Sequence, residues 1–194
     1  MARLLLALTL SFAAATPAFA ATYTVDSSHS HIGFSVTHMM VSTVRGSFGT
    51  VSGTVEYDPA NIAATKVNAT VGVASVDTRD GKRDDHLRAP DFFDAKKFPE
   101  MKFVSKSVRN VTDTTFDVVG DLTLRGVTKE VVLTATKLPE ARKDPWGNVK
   151  TGTHVTGKIN RKDFGVSWSA NLDGGGVVVG DEVTIDLDVE LAKK

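Results

Sequence analysis

The sequence of 194 residues contains no cysteine, and this absence excludes several kinds of chemistry at once. Without thiols the chain has no disulfide to stabilise a small core, no thiolate nucleophile and no thiolate metal site. It also has no cysteine near its start on which a lipid anchor would be placed. The chain must therefore be held together by an ordinary hydrophobic core, and its length is sufficient for one domain.

The sequence also lacks an excess of either charge and has few aromatic residues. Its 23 Lys and Arg residues are balanced by 23 Asp and Glu residues. Nothing in this balance favours nucleic acid or an anionic membrane surface as a partner. Aromatic residues make up 7% of the chain, too few for the aromatic girdles of an outer-membrane barrel.

Residues 1–20 have the pattern of a secretory signal peptide. They combine an early charge at Arg3, an apolar run over residues 4–15 and the small-x-small sequence Ala18–Ala20. The apolar run is too short to span a bilayer. We therefore expect cleavage after Ala20, a mature domain at residues 21–194 and a periplasmic location.

Apolar and polar residues alternate with a period of two through most of residues 21–194. Because neighbouring side chains on a strand point to opposite faces, each such segment has one apolar face, as antiparallel strands usually do. One charged connection breaks the alternation and predicts a short helix at about 82–88, limited by Pro90. The predicted strands are a short one near Tyr23 and runs at about 31–39, 46–57, 66–76, 100–111, 115–124, 127–137, 149–160 and 182–191.

An all-β domain of this kind is either a sandwich or a closed barrel. Several positions in the apolar phase are small, and small inward residues would keep a cavity open inside a barrel of eight strands. The same glycines would also mark sharp bends or bulges, so the pattern alone leaves both architectures open. The small positions are Gly53, Ala69, Gly120, Ala135 and Gly157.

Three histidines lie close together in the sequence, at positions 29, 31 and 38. On one unbroken strand His29 and His31 point the same way, whereas His38 faces the other side about 23 Å from His31. Zinc binds imidazole nitrogens at about 2.0–2.1 Å, so the three cannot share one ion. We expect no metal, cofactor or catalytic site. A metal-dependent periplasmic enzyme using His29 and His31, with His86 or His154, is the alternative.

Five segments in order resemble the YceI-like polyisoprenoid-binding proteins of bacteria, and together they cover nearly all of residues 21–194. The most specific segment runs from Arg83 to Ser105 and includes the sequence Asp-Phe-Phe-Asp at residues 91–94. The matching positions are Asp26, His29, Ser30, Phe34, His38; Gly46, Phe48, Gly53; Arg83, Asp84, Leu87, Asp91–Asp94, Phe98, Pro99, Phe103, Ser105; Gly120–Thr123, Arg125–Thr128; and Arg161, Asp163, Phe164, Gly165.

This resemblance implies an elongated, antiparallel, lipocalin-like barrel of eight strands with a short helical connection and a long apolar chain held inside. It implies a protein that carries or sequesters an isoprenoid lipid, such as a polyprenyl phosphate or an isoprenoid quinone, and not an enzyme. A ligand-free structural or stress-related barrel is the other alternative. Transient membrane contact and a homodimer are compatible with such a carrier.

The inward phase of the predicted strands supplies the candidates for the wall of a lipid tunnel. Residues 79–99 are expected to form a mouth or lid, where Arg83, His86 or Arg88 would meet a polar head group, since cationic donors suit phosphate. The candidate lining residues are Phe34, Val36, Val51, Val55, Val71, Val73, Phe103, Phe116, Val118, Leu122, Val131, Leu133, Val155, Ile185 and Leu187.

Overall fold

Antiparallel strands make up most of the chain, as predicted. The computed structural model describes residues 20–194, so the predicted signal peptide at residues 1–20 lies almost wholly outside the described part. In these residues no helix has both the length and the apolar character needed to cross a membrane. The strands are β1 (Ala21–Val25), β2 (His31–His38), β3 (Ser42–Phe48), β4 (Val51–Tyr57), β5 (Lys66–Gly72), β6 (Val76–Asp77), β7 (Glu100–Arg109), β8 (Thr115–Leu124), β9 (Val127–Thr136), β10 (Arg142–Lys143), β11 (Val149–Asn160) and β12 (Val179–Lys193).

The strands close into a barrel with eight strand positions, which confirms the predicted fold class. Three positions are each filled by two successive short strands, β1 with β2, β3 with β4 and β5 with β6. The other five are β7, β8, β9, β11 and β12. Each position pairs with the next along the chain, and β12 closes the ring by pairing with β1, β2 and β11. The two-residue β10 extends the β11 hairpin outside the ring.

Two predicted strands are interrupted in the structure, and the breaks lie side by side. The predicted run 46–57 is β3 and β4, separated at Gly49 and Thr50, and the run 66–76 is broken by a 3₁₀ turn at Val73–Ser75. Thr50 N donates to Ser75 Oγ at 3.0 Å, and Gly72 N donates to Thr50 O at 2.9 Å. These contacts replace the regular hydrogen-bond ladder between the two strands, and an alternation of apolar and polar residues does not predict such a break.

Helix α1 (Gly81–Arg88) connects β6 to β7 and lies close to the predicted helix at 82–88. Its start is fixed by Asp80, whose carboxylate accepts a hydrogen bond from Arg83 N at 3.1 Å. Its end is fixed by Pro90, because the preceding Ala89 is held in an extended conformation, with ψ of 165°. Shorter 3₁₀ turns lie at Ile62–Ala64 and Arg161–Phe164.

The barrel has two ends of different construction. The helix end contains α1, residues 89–99 and residues 161–178, together with the tip of the β2–β3 hairpin. The other end, called the tyrosine end below, has a core that includes Tyr23, Tyr57 and Ile62, all of them buried. Leu138 packs against this core, so apolar side chains cover the tyrosine end while the helix end carries the long connections.

Candidate functional site

A cavity of about 430 Å³ runs inside the barrel, and all eight strand positions contribute to its wall. The wall is formed mainly by aliphatic and aromatic side chains, so the interior is not filled by the protein's own residues. Fourteen of the fifteen candidate lining residues lie on this wall, since the alternation assigned the inward face of each strand correctly. They are Phe34, Val36, Val51, Val55, Val71, Phe103, Phe116, Val118, Leu122, Val131, Leu133, Val155, Ile185 and Leu187.

Val73 is the exception, because the strand that would have turned it inward ends at Gly72. Val73 begins the 3₁₀ turn, where it is buried away from the cavity wall with 1% of its surface exposed. Other wall residues were missed. Most of those on strands share the phase of predicted neighbours. Val44 and Phe48 have the opposite phase to Val51, because the predicted run 46–57 is broken between β3 and β4. Those at the helix end lie in connections without periodicity. They include Ile32, Val44, Phe48, Val67, Met101, Ile159, Val183, Val189, Leu87, Phe92, Phe93, Val166 and Trp168.

One polar group on the wall lacks a hydrogen-bond partner within the described part of the chain. Thr65 follows the 3₁₀ turn Ile62–Ala64 near the tyrosine end and is 5% exposed. Its Oγ1 is buried and unpartnered in residues 20–194. A buried hydroxyl without a partner costs free energy, so this atom is a place where a ligand or a water molecule would be stabilised.

Arg83, one of the three head-group candidates, lies on the wall of the cavity at the helix end. Its Nε donates to Thr78 Oγ1 and its Nη2 to Thr78 O, both at 2.7 Å. Thr78 is in turn held by the buried carboxylate of Asp84, whose Oδ1 accepts from Thr78 N and Oγ1 at 2.8 and 2.6 Å. This network orients an exposed guanidinium at the cavity's edge.

His86 also lies on the wall, where two aromatic rings meet its imidazole edge-on. The centroids of Phe92 and Trp168 are 4.8 and 5.2 Å from that of His86. Its Nε2 lies 2.6 Å from Asp91 Oδ2, and this hydrogen bond holds the pKa of the Asp91 carboxyl below its usual value. His86 is therefore held at a point where the cavity wall is partly exposed to solvent, since 42% of its side-chain surface is accessible.

Arg88, the third head-group candidate, does not reach the cavity wall. Its Nε donates to Ala74 O at 2.9 Å and its Nη2 to Val76 O at 2.8 Å. Its Nη1 forms an ion pair with Asp85 at 3.0 Å. These bonds attach α1 to the chain before it. Arg88 therefore stabilises the position of α1 and is not available to a head group in the cavity, because the helix points its side chain towards β6.

Two further arginines hold the connections of the helix end. Arg125 Nη1 donates to Gly165 O at 2.7 Å, and its Nη2 donates to Pro90 O at 2.6 Å. Arg161 is 4% exposed and donates to backbone carbonyls of the segment 166–180. Burial lowers the pKa of the Arg161 guanidinium, while the charge of Asp181 opposes that effect. These arginines give the segment around the cavity opening a defined shape.

The clustered histidines do not form a shared site. His29 lies in the turn after β1, not on a strand, and its Nδ1 is 3.0 Å from Asp26 Oδ2 and 3.7 Å from Glu190 Oε1. His31 is exposed on β2 and is not part of this group. Lys150 Nζ bonds to both Asp26 and Glu190, so an ammonium group already supplies positive charge between the two carboxylates. His29 and His31 do not lie on one strand, because β2 begins only at His31.

The same cluster predicts a pH dependence of stability. Hydrogen bonds from Lys150, then Ser28 and His29, hold the pKa of the Asp26 carboxyl well below its ordinary value of 3.8. A carboxyl with a lowered folded-state pKa stabilises the fold above its unfolded pKa, and this stabilisation is lost as the pH falls through the folded value. We expect Asp26→Asn to unfold more readily than the wild type at pH 7, with a difference that shrinks below about pH 4.

Urea unfolding from pH 7 to pH 2 measures this difference directly. Asp144→Asn is the matched control, because its carboxyl also has a lowered pKa but bonds only within its own turn, to Asn148 and Trp146. A constant difference between Asp26→Asn and the wild type over the whole range would contradict the role given to Lys150.

Comparison with known proteins identifies the family. A family model described as the YceI-like domain matches residues 23–191, a stretch that reaches from β1 to β12. The chain belongs to the YceI-like family. The resemblance inferred from five sequence segments is thereby confirmed. The buried contacts of Asp84 and Arg161 and the partly buried contact of Arg125 explain why those segments contain charged residues.

Individual YceI-like relatives are similar over most of their length. A UPF0312 protein of Photorhabdus laumondii is 43% identical over 152 residues, which cover 77% of this chain and 78% of that protein. The crystal structure of BcnA from Burkholderia cenocepacia has a TM-score of 0.71 at 26% identity and covers 86% of this chain and 98% of its own. A polyisoprenoid-binding domain from Saccharophagus degradans shares the fold, with a TM-score of 0.64 at 16% identity over 90% of this chain and 99% of its own.

Proposed function

We propose that this protein binds an isoprenoid-type lipid inside its barrel and carries or sequesters it in the periplasm. The single observation that carries the proposal is the cavity of about 430 Å³ with its aliphatic and aromatic wall. Each methylene group moved from water into such a cavity contributes about 0.8 kcal/mol, so a long apolar chain binds with few polar contacts. The lipid is bound and released without any covalent step.

The lipid class is supported by the Saccharophagus degradans neighbour, which is described as a polyisoprenoid-binding domain. The ligand is a polyprenyl phosphate or an isoprenoid quinone. A periplasmic location follows from the predicted signal peptide at residues 1–20. A homodimer stays a prediction, which light scattering of the purified chain tests.

The two alternatives have less support from the described residues. A structural barrel without a ligand would fill its own interior, whereas this barrel leaves a cavity. A metal ion near His29 would have to displace Lys150 from the carboxylates of Asp26 and Glu190. The enzyme alternative therefore gains no observation that favours it.

Fluorescence of Trp168 provides the test of the proposed function. The chain has two tryptophans; Trp168 lies on the cavity wall and Trp146 is 84% exposed at the tyrosine end. A Trp146→Phe variant leaves Trp168 as the reporter, and an isoprenoid quinone is titrated into it. We expect saturable quenching with one lipid per chain. A linear signal that never saturates would contradict lipid binding in the cavity.

Arg83 allows the two head groups to be distinguished. If the ligand carries a phosphate at the helix end, Arg83→Gln lowers the affinity for polyprenyl phosphate by about tenfold, the usual effect of one charge-assisted hydrogen bond. The affinity for the quinone is expected to stay within about twofold, because a quinone carries no charge. Lys82→Gln, one residue away and off the cavity wall, is the matched control. Equal losses for both lipids in Arg83→Gln would exclude a phosphate contact.

A further inference from the structure

The tip of the β2–β3 hairpin carries three consecutive exposed apolar side chains. Met39, Met40 and Val41 are 45%, 62% and 84% exposed. Exposed apolar residues are common when they are scattered singly, but a contiguous group at a protruding tip indicates a surface that meets something apolar. The tip lies at the helix end, where Met39 N donates to Val178 O at 2.8 Å.

The backbone of this turn is unfavourable for methionine. Met39 and Met40 have φ angles of 51° and 61°, and Val41 N donates to His38 O at 3.1 Å. A turn with positive φ at both central residues strongly prefers Asn-Gly or Asp-Gly, because other L-residues are strained there. Met39 and Met40 therefore combine an unfavourable backbone conformation with exposed apolar side chains. A turn that served only to connect two strands would have neither.

The exposed tip is continuous with the cavity. His38, directly before the tip, lies on the cavity wall, as do the half-buried Val36 and Val44 on the two strands of the hairpin. Val178, which bonds to Met39, lies on the wall as well. Val36, Val44 and Val178 thus form an apolar path along the cavity wall that ends next to the tip, with His38 beside it.

The charged side chains beside the tip are few, and those next to Met40 are paired. Residues 35–44 contain no Asp, Glu, Lys or Arg, and residues 164–178 contain one charged residue, Asp173. Asp181 and Glu182 line a groove next to Met40 and form ion pairs with Lys162 and Lys158. A surface of this kind has no strong attraction to an anionic membrane, but its apolar side chains would enter the boundary between head groups and acyl chains. A protein partner is less favoured, because nothing at the tip offers directional polar contacts.

We propose that the turn Met39–Met40–Val41 is a docking tip that inserts into the surface of a neutral lipid bilayer and places the cavity opening against it. This inference rests on the proposed function, because the docked bilayer is the source or the destination of the bound lipid. Docking is driven by burial of the three side chains and is therefore insensitive to salt. The lipid then passes between bilayer and cavity along the apolar path.

The double variant Met39→Asn/Met40→Gly tests the docking tip, since Asn-Gly suits the turn and is expected to preserve or raise the melting temperature. Trp146→Ser is the control, because Trp146 is more exposed than either methionine but lies at the tyrosine end. All variants begin at Ala21, so that the apolar residues 4–15 do not bind vesicles themselves. The probes are phosphatidylcholine vesicles with and without an isoprenoid quinone. Co-sedimentation and the rate of quinone extraction are measured at low and high salt.

We expect the double variant to lose co-sedimentation and to extract quinone at least about tenfold more slowly, with quinone affinity in solution unchanged. Trp146→Ser should behave as the wild type. Unchanged sedimentation and extraction in the double variant would overturn the docking tip. If the protein still binds quinone in solution, the proposed function is not affected by that result. The docking tip would also be overturned if the wild type is a dimer and the double variant is a monomer. The same holds if the wild type does not co-sediment with vesicles. A wild type that sediments through the tip but never binds quinone would support docking and refute the proposed function.

Discussion

Val155→Trp is expected to lower the affinity for an isoprenoid lipid by about 30-fold. Val155 lies on the cavity wall in the middle of β11, opposite Leu187 of β12 and Ala135 of β9. An indole ring there would displace two to three methylene groups of the ligand, at about 0.8 kcal/mol each, for a loss of about 2 kcal/mol. The quenching titration of Trp168 cannot be used with a new tryptophan, so isothermal titration calorimetry is the measurement.

The neighbouring Thr156 provides the control for this prediction. Thr156 is on the same strand but off the cavity wall, so Thr156→Trp adds the same side chain outside the barrel. We expect its affinity to stay within about twofold of the wild type. Similar affinities for Val155→Trp and the wild type would mean that the ligand lies outside the cavity.

Arg161→Leu is expected to destabilise the fold by about 3–5 kcal/mol, the loss typical of a broken buried polar network. The guanidinium donates to Gly180 O at 2.8 Å and, from Nη1, to Val166 O at 2.7 Å and Trp168 O at 2.8 Å. Nη2 donates to Val179 O at 3.1 Å. Leucine would leave these carbonyls without their donor, so the connection 165–178 would keep only its other contacts with β12, such as the bond between Ser169 Oγ and Val179.

Urea denaturation followed by circular dichroism measures this loss, and Lys162→Leu is the matched control. Lys162 is the next residue, and its Nζ forms an ion pair with Asp181 in which both side chains are more than 40% exposed. Such a surface pair contributes about 0–1 kcal/mol. A comparable effect of the two substitutions would contradict the role given to Arg161.

The regular strands were predictable because alternation directly reports which face is buried. The prediction for β8 at 115–124 matches its bounds, and the side chains of Phe116, Val118 and Leu122 lie on the cavity wall. The small residues left both architectures open, and at least one of them is small for a reason other than the cavity alone. A Cβ atom on Gly120 would lie 2.5 Å from Phe103 Cζ, so this glycine accommodates the ring of Phe103 as well as a cavity. Ala69 and Ala135 do lie on the wall.

The helix end could not be predicted in the same way, because its contacts are specific and not periodic. Nothing in the spacing of Arg161 and Val166 signals that one side chain binds the other's carbonyl. The breaks at Gly49 and Val73 are likewise set by contacts between neighbouring strands, which displaced Val73 from the wall. The family resemblance marked several of these residues but gave no reason for their presence.

Native mass spectrometry of the purified chain, followed by solvent extraction of the bound material, is the decisive measurement for lipid binding in the cavity. We predict a mass increment of one lipid per chain and recovery of an isoprenoid from the extract. Loading with an isoprenoid quinone should restore the increment after delipidation. A chain that is repeatedly empty and takes up no such lipid would contradict the account.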